Sequence, residues 1–215
     1  MKALATTAIA GTSVANPTAG VFLTAAHEIA GLADEIRIDA VIKGLSTEFN
    51  QEKQINQLYN YVKKSEENAF YVSNTIRKAL LSDSLISCVI MGRMLARHMG
   101  EDSKYDQDDN IIFHALESAT NDDIRQFYQV MKEFKTKNEN GNVVFHIPDD
   151  VLKEPVFSSS LDWCVFNRIF NGTSGVLWGI EGQDYDDSHS PTSAAEKLFG
   201  YVDSVKQILE YGDDG

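Results

Sequence analysis

From Ser84 to Met99 the chain reads SLISCVIMGRMLARHM, a run that is apolar nearly all round a helix until Arg93, Arg97 and His98. A helix with no polar face has to be wrapped by other elements on every side. The segment therefore predicts the central helix of a bundle, ended by Gly100. Its basic last turns sit where the helix dipole favours positive charge, and the acidic run Glu101, Asp102, Asp106, Asp108 and Asp109 follows at once. Local ion pairing accounts for both.

The segments before it supply the wrapping. Phe22, Ala25, Ile29, Leu32, Ile36 and Ala40 recur every three or four residues and predict a helix over 21–44, with Gly44 as its stop. Ser46 or Thr47 caps a second helix over 50–64, which turns Ile55, Leu58, Tyr59 and Val62 to one side. Ser65 followed by Glu66 and Glu67 is a hydroxyl cap with an acidic first turn, and opens a third helix over 66–81 with Ala69, Val72, Ile76 and Leu80 inward. Ile111, Ile112, Ala115 and Leu116 mark a short fifth helix.

From Thr120 the pattern changes. Thr120 to Asp123 reads as a capping box for a helix using Ile124, Phe127, Tyr128, Met131 and Phe134. The loop KTKNENGN turns the chain at Asn140-Gly141, and 142–147 reads as a strand between that glycine and Pro148. Asp149 and Asp150 start a single helical turn ending before Pro155. Ser158 to Ser160 caps the next helix, LDWCVFNRIF. Two short strands, 175–180 and 185–190, flank the polar turn 181–184, and Ser193 to Glu196 reads as a second capping box for the last helix. The fold class is mainly α: an uncharged flexible arm over 1–20, a helical bundle over 21–118, and an acidic winged-helix-like α+β module over 119–215.

The order helix, strand, short helix, helix, strand, strand, helix over 120–211 resembles a winged helix with an added C-terminal helix. Its pairing with a helical region that opens on a small-residue-rich, uncharged segment resembles bacterial abortive-infection proteins. That resemblance implies a phage-defence or regulatory setting and leaves the activity unspecified.

Charge decides how such a module can be used. Residues 1–100 hold ten Lys/Arg against nine Asp/Glu, and residues 101–215 hold nine against twenty-three, within a chain of formal net charge −13. A winged helix that reads DNA needs cations on its recognition helix and wing. Here the candidate recognition helix has only Arg168, and the candidate wing carries Glu181, Asp184, Asp186 and Asp187. Nucleic acid is therefore not the expected partner; a protein partner or a second copy of the chain is. The aromatic concentration between 157 and 185 is mainly core, and any part left exposed would anchor that contact. The candidate partner-binding residues are Trp163, Phe166, Arg168, Trp178 and Tyr185.

Candidate chemistry is sparse. Asp106, Gln107, Asp108, Asp109 and Asn110 with Glu117 imitate an EF-hand loop, but Ile111 occupies the position where the sharp turn needs glycine. Asp108 or Asp109 is better read as a helix cap. Asp184, Asp186, Asp187 and His189 form the candidate metal set, although solvated carboxylates in a turn are the commoner arrangement. His114 and Glu117 share a helical face and read as an incidental surface pair, as do His27 beside Glu28 and His98 beside Arg97. No G-x-S-x-G, cysteine-histidine or phosphate-loop pattern is present. No catalytic residue and no cofactor is expected. Cys88 and Cys164 read as buried free thiols, which suits a reducing compartment.

From Ala3 to Ala26 there is no charge, in a run of small residues and threonines. A signal-peptide reading suffers from a short, interrupted apolar core, and a membrane span is broken by Thr6, Thr7, Thr12, Ser13, Asn16, Pro17 and Thr18. The expectation is a retained arm on a cytoplasmic protein, with export or membrane association through residues 3–31 as the alternative. The expected function is non-catalytic: an interaction protein working through self-association or a protein partner. The alternatives are a DNA-associated winged-helix regulator and a membrane-acting effector.

Overall fold

Pro17–Leu45 forms helix α1, Gln51–Lys64 α2, Glu66–Leu81 α3, Leu85–Glu101 α4, Gln107–Ser118 α5 and Asn121–Gln129 α6, which widens into a π-helical stretch over Val130–Phe134. Strands β1 (Lys135–Lys137) and β2 (Val143–Phe145) come next, then α7 (Asp149–Leu152), α8 (Pro155–Phe166), β3 (Phe170–Asn171), β4 (Ser190–Pro191) and α9 (Ser193–Glu210). This computed structural model describes residues 17–46, 51–101, 105–172 and 189–210, and the side chains of 31–46, 56–100, 105–172 and 189–206. Within them the protein is mainly helical, with two small two-stranded antiparallel ladders, β1–β2 and β3–β4. The arm over 1–16, the strand over 175–180, most of the strand over 185–190, and with them Trp178, Tyr185, Asp184, Asp186 and Asp187, lie outside the described residues.

The all-round apolar segment is the centre of the fold. Helix α4 packs against α1, α2, α3, α5, α6 and α9, and Cys88, Ile90, Met91, Met94, Leu95 and Ala96 are all buried. Its most extensive partner is α1, because two glycines let the backbones touch. A Cβ on Gly92 would stand 2.1 Å from the Val41 carbonyl oxygen, and one on Gly44 would stand 2.0 Å from that of Val89. Gly44 is therefore not the stop that its type suggests. The helix runs through it to Leu45, and the glycine serves close approach.

One buried cluster joins the bundle to the later elements, across the expected boundary at 118/119. Ile112, Phe113 and Leu116 of α5 belong to the same core as Phe127, Leu161, Phe170 and Leu198. Helix α9 returns to pack on α4, α5 and α6.

Local signals explain most element starts. Ser65 caps α3 by accepting a bond from the Asn68 N–H at 3.1 Å. Two capping boxes are complete: Thr120 with Asp123 opens α6, and Asp106 with Asp109 opens α5. Helix α8 departs from expectation at both ends. It starts at Pro155, whose fixed φ and missing N–H suit a first position, so Ser158 to Ser160 lie inside the helix and do not cap it. It stops at Phe166, four residues early. Arg168 takes a left-handed φ of 60°, and the Ile169 N–H turns back to the Cys164 carbonyl at 2.8 Å. The chain can then run Phe170 and Asn171 as β3. At α9 the cap is Thr192, one residue before the expected serine, with its hydroxyl accepting from the Ala195 N–H at 3.2 Å.

The turn at Asn140-Gly141 closes a hairpin, with Gly141 at φ 78° and the Asn138 side chain accepting from the Asn140 and Asn142 N–H groups. Lys135–Lys137, expected as loop, pairs with Val143–Phe145. All three β1 residues are exposed, so no alternation of apolar and polar residues betrays the strand. The Phe145 N–H donates to the His189 carbonyl at 3.0 Å and stitches this hairpin to the β3–β4 ladder.

Candidate functional site

The start of α5 positions the most unusual side chain in the protein. Asp109 is the third residue of its capping box, and its Oδ2 accepts from the Asp106 N–H at 3.1 Å. From there the carboxylate points into the bundle, where it has no solvent exposure. His98, near the end of α4, brings Nε2 to 3.2 Å from Asp109 Oδ2 and is itself 3% exposed. Lys197 of α9 reaches Asp109 Oδ1 at 2.7 Å and Asp106 Oδ2 at 2.9 Å. Two consecutive helices and the distant α9 are tied at one carboxylate.

Aromatic rings close the cluster. Tyr71 stands edge-on to His98 at 4.9 Å and to Phe113 at 5.8 Å, with Tyr105 tilted against it at 5.1 Å. On the other side the Arg97 guanidinium lies 5.7 Å from the centre of the Tyr201 ring. Burial, the largest influence on Asp109, raises its carboxyl pKa, but His98, Lys197 and the Asp106 N–H together outweigh it and hold the group at about 2. Burial first, and the Asp109 charge second, pushes the Tyr71 phenol well above its ordinary range and Tyr105 up to about 12.

A histidine beside a carboxylate can move protons; here both are buried, with the rings of Tyr71 and Tyr105 against the histidine. The arrangement acts as a clamp between α4, α5 and α9. It also makes an acid-sensitive element. Asp109 is depressed in the folded state, so its contribution is fully present above its unfolded value of about 4 and is lost as pH falls through about 2, an effect of roughly 2 kcal/mol. Chemical denaturation at intervals from about pH 5 to pH 2 should show a steeper loss of stability for the natural chain than for Asp109→Asn. Parallel curves would contradict the assignment.

Above this cluster opens a cleft of about 800 Å³ between the α2–α3 junction and the start of α5. Tyr61, Phe70, Tyr71 and Tyr105 line it with aromatic rings, and Lys64, Ser65, Glu66, Glu67, Asn68, Asn74 and Asn110 supply its polar atoms.

No family model, curated protein or solved structure matches this chain. The reading of its surfaces therefore rests on its own residues.

Of the expected partner residues, Trp163 is buried, with its indole N–H donating to Ser118 Oγ at 3.3 Å. Phe166 is 67% exposed at the end of α8. Arg168 lies beyond that end, in the left-handed turn, so the cation assigned to a recognition helix is not on a helix. Of the candidate metal set only His189 is described. It is buried against Gly172, where a Cβ would come within 2.2 Å of its ring. Among the described residues no group of three or more His, Cys, Asp or Glu side chains is placed to hold a metal ion. Asp106, of the EF-hand-like run, caps α5, and Asp108 accepts from the Ser193 hydroxyl. His114 is largely exposed, 3.9 Å from Glu117, whose main partner is the buried Lys78.

His98 is not the surface residue that its neighbour Arg97 suggests; it is one of the most buried polar side chains in the protein. The missed signal is its place on the all-round apolar helix, where any polar residue needs a partner inside the fold. Cys88 and Cys164 are buried free thiols, and burial raises Cys88 to about 11. Among the described residues no helix is long and apolar enough to cross a membrane.

Proposed function

We propose that this chain is a non-catalytic interaction protein that works through self-association or a protein partner, in the cytoplasm and in a phage-defence or regulatory setting. The observation that carries the reading is a set of large apolar side chains left in the open on two joined elements. Leu32, 58% exposed, and Ile36 lie four residues apart on one side of α1. Leu81, 61% exposed, and Leu85 flank the α3–α4 turn. Arg37 of α1 donates from Nε to the Ser82 carbonyl at 2.9 Å, which seats that helix against the same turn. Scattered exposed leucines need no explanation, but several on adjoining elements favour a partner surface.

The winged-helix-like reading of 119–215 belongs to the same proposal, as a packing or protein-binding unit. The bond from Phe145 to His189, which joins the two ladders between helices, supports it. Arg168 lies off the helix end, which removes the one cation of the DNA-reading alternative.

Light scattering of the full chain tests the proposal, with Leu32→Glu and Leu81→Glu as variants. The expected result is a concentration-dependent assembly, with each variant weakening association by about 10-fold or more and leaving Tm within a few degrees of the natural chain. A strict monomer with no co-purifying protein would count against it.

A further inference from the structure

We propose that the cleft over Tyr71 and Tyr105 binds a small organic cation of the alkylammonium class. This site is separate from the apolar surface of α1 and the α3–α4 turn, and the proposal does not depend on it. Two features point to positive charge with an apolar body. First, four aromatic side chains line the cleft, and a ring face attracts an ammonium group while accepting its methyl or methylene groups. One of them, Phe70, is 73% exposed, a large ring held in water beside a concave surface. Second, the two acidic residues of the lining, Glu66 and Glu67, outnumber its one basic residue, Lys64.

The polar atoms agree with that sign. Asn68 spends its amide N–H on the Tyr61 carbonyl at 3.0 Å, which leaves its amide oxygen to offer. An anion is disfavoured even though the cleft includes the start of α3. The Ser65 hydroxyl already takes the Asn68 N–H, and two carboxylates occupy the first turn where an anion would sit. The net charge of −13 adds a long-range attraction for cations. The volume lies within the range of small-molecule sites and exceeds what a single trimethylammonium group fills, so a chain extending from the charged head fits as well.

The probe is choline, set against 3,3-dimethylbutan-1-ol, which has the same shape and no charge. Both are titrated into the full-length protein and followed by amide and side-chain NMR shifts. The expected result is saturable choline binding with a Kd on the order of 1 mM, and at least about 10-fold weaker binding of the alcohol. The shifts should centre on Tyr71, Tyr105 and Asn110. The double variant Glu66→Gln with Glu67→Gln changes only exposed side chains, and should weaken choline several-fold while lowering Tm by no more than a few degrees, the cost of losing two charges from the first turn of α3. Tyr105→Leu should remove binding. Three outcomes would each overturn the proposal: no saturation by about 20 mM choline, equal affinity for the alcohol, or undiminished binding in the double glutamine variant.

Discussion

Asp109→Ala is expected to remove about 3–5 kcal/mol of stability, much of the total available to a domain of ordinary stability. The loss has two parts. The alanine takes one of the two carboxylates of Lys197, which keeps Asp106, and leaves the buried His98 without the oxygen that faces its Nε2. It also breaks the capping box, because the Asp106 N–H loses its acceptor at the start of α5. Asp109→Asn separates the two, since an amide oxygen can still take that N–H but carries no charge. Urea denaturation should therefore rank the chains natural, then Asn, then Ala. A buried ion pair is poor evidence of net stabilisation in itself, and replacing His98 and Asp109 together by leucines should recover part of the loss. If Asp109→Ala unfolds within about 1 kcal/mol of the natural chain, the clamp is not a clamp.

Gly92→Ala is the second large effect, and its sign is the informative part. On an exposed helix the change from glycine to alanine stabilises by up to about 1 kcal/mol, because alanine loses less backbone freedom on folding. At Gly92 the added carbon meets the Val41 carbonyl oxygen at 2.1 Å, a backbone atom that no rotamer change can move aside. The α1–α4 pair would have to separate along its length. A cost of about 3 kcal/mol or more is expected, with Gly44→Ala behaving alike against Val89. Gly200 of α9 is the control, since nothing lies within 4 Å of the place a Cβ would take there, and Gly200→Ala should raise Tm. Thermal melts of the three variants decide the matter. A neutral Gly92→Ala would mean that the two helices are not in backbone contact.

Much of the helical layout is legible in the residues. The span of α3, the start of α4, the capping box at Thr120 and the turn at Asn140-Gly141 all follow from signals that act within one or two turns of chain, whereas α4 runs through Gly100, its expected stop, to Glu101. The misreadings share a cause. Gly44 looks like a helix stop and His98 like a surface histidine, because sequence shows a residue's neighbours along the chain and not those across a packed interface. Lys135–Lys137 carries no strand pattern because none of its residues is buried and its one side-chain tie among the described residues, from Lys135 to Glu196 of α9, is to a residue far along the chain. The early end of α8 turns on a left-handed residue that is an arginine, and no glycine announces it.

The same division holds for the sites. Asp109 is visible in the sequence as a candidate cap, and local hydrogen bonding makes it the acidic third residue of the α5 capping box. That its other oxygen meets Lys197 depends on α9 returning across the bundle; the lysine also bonds Asp106, 91 residues away in the chain. The cleft likewise needs Tyr105 brought over Tyr71 by the packing of α5 on α3.

A mainly helical chain with a largely buried central helix, most of its helix starts and its acidic second half can thus be read from contiguous residues, because caps, periodicity and charge are local properties. Which glycines let helices touch, which carboxylate is buried, and where aromatic rings gather into a cleft cannot be read that way. Those features depend on distances between segments far apart in the chain, which only the collapse around α4 sets.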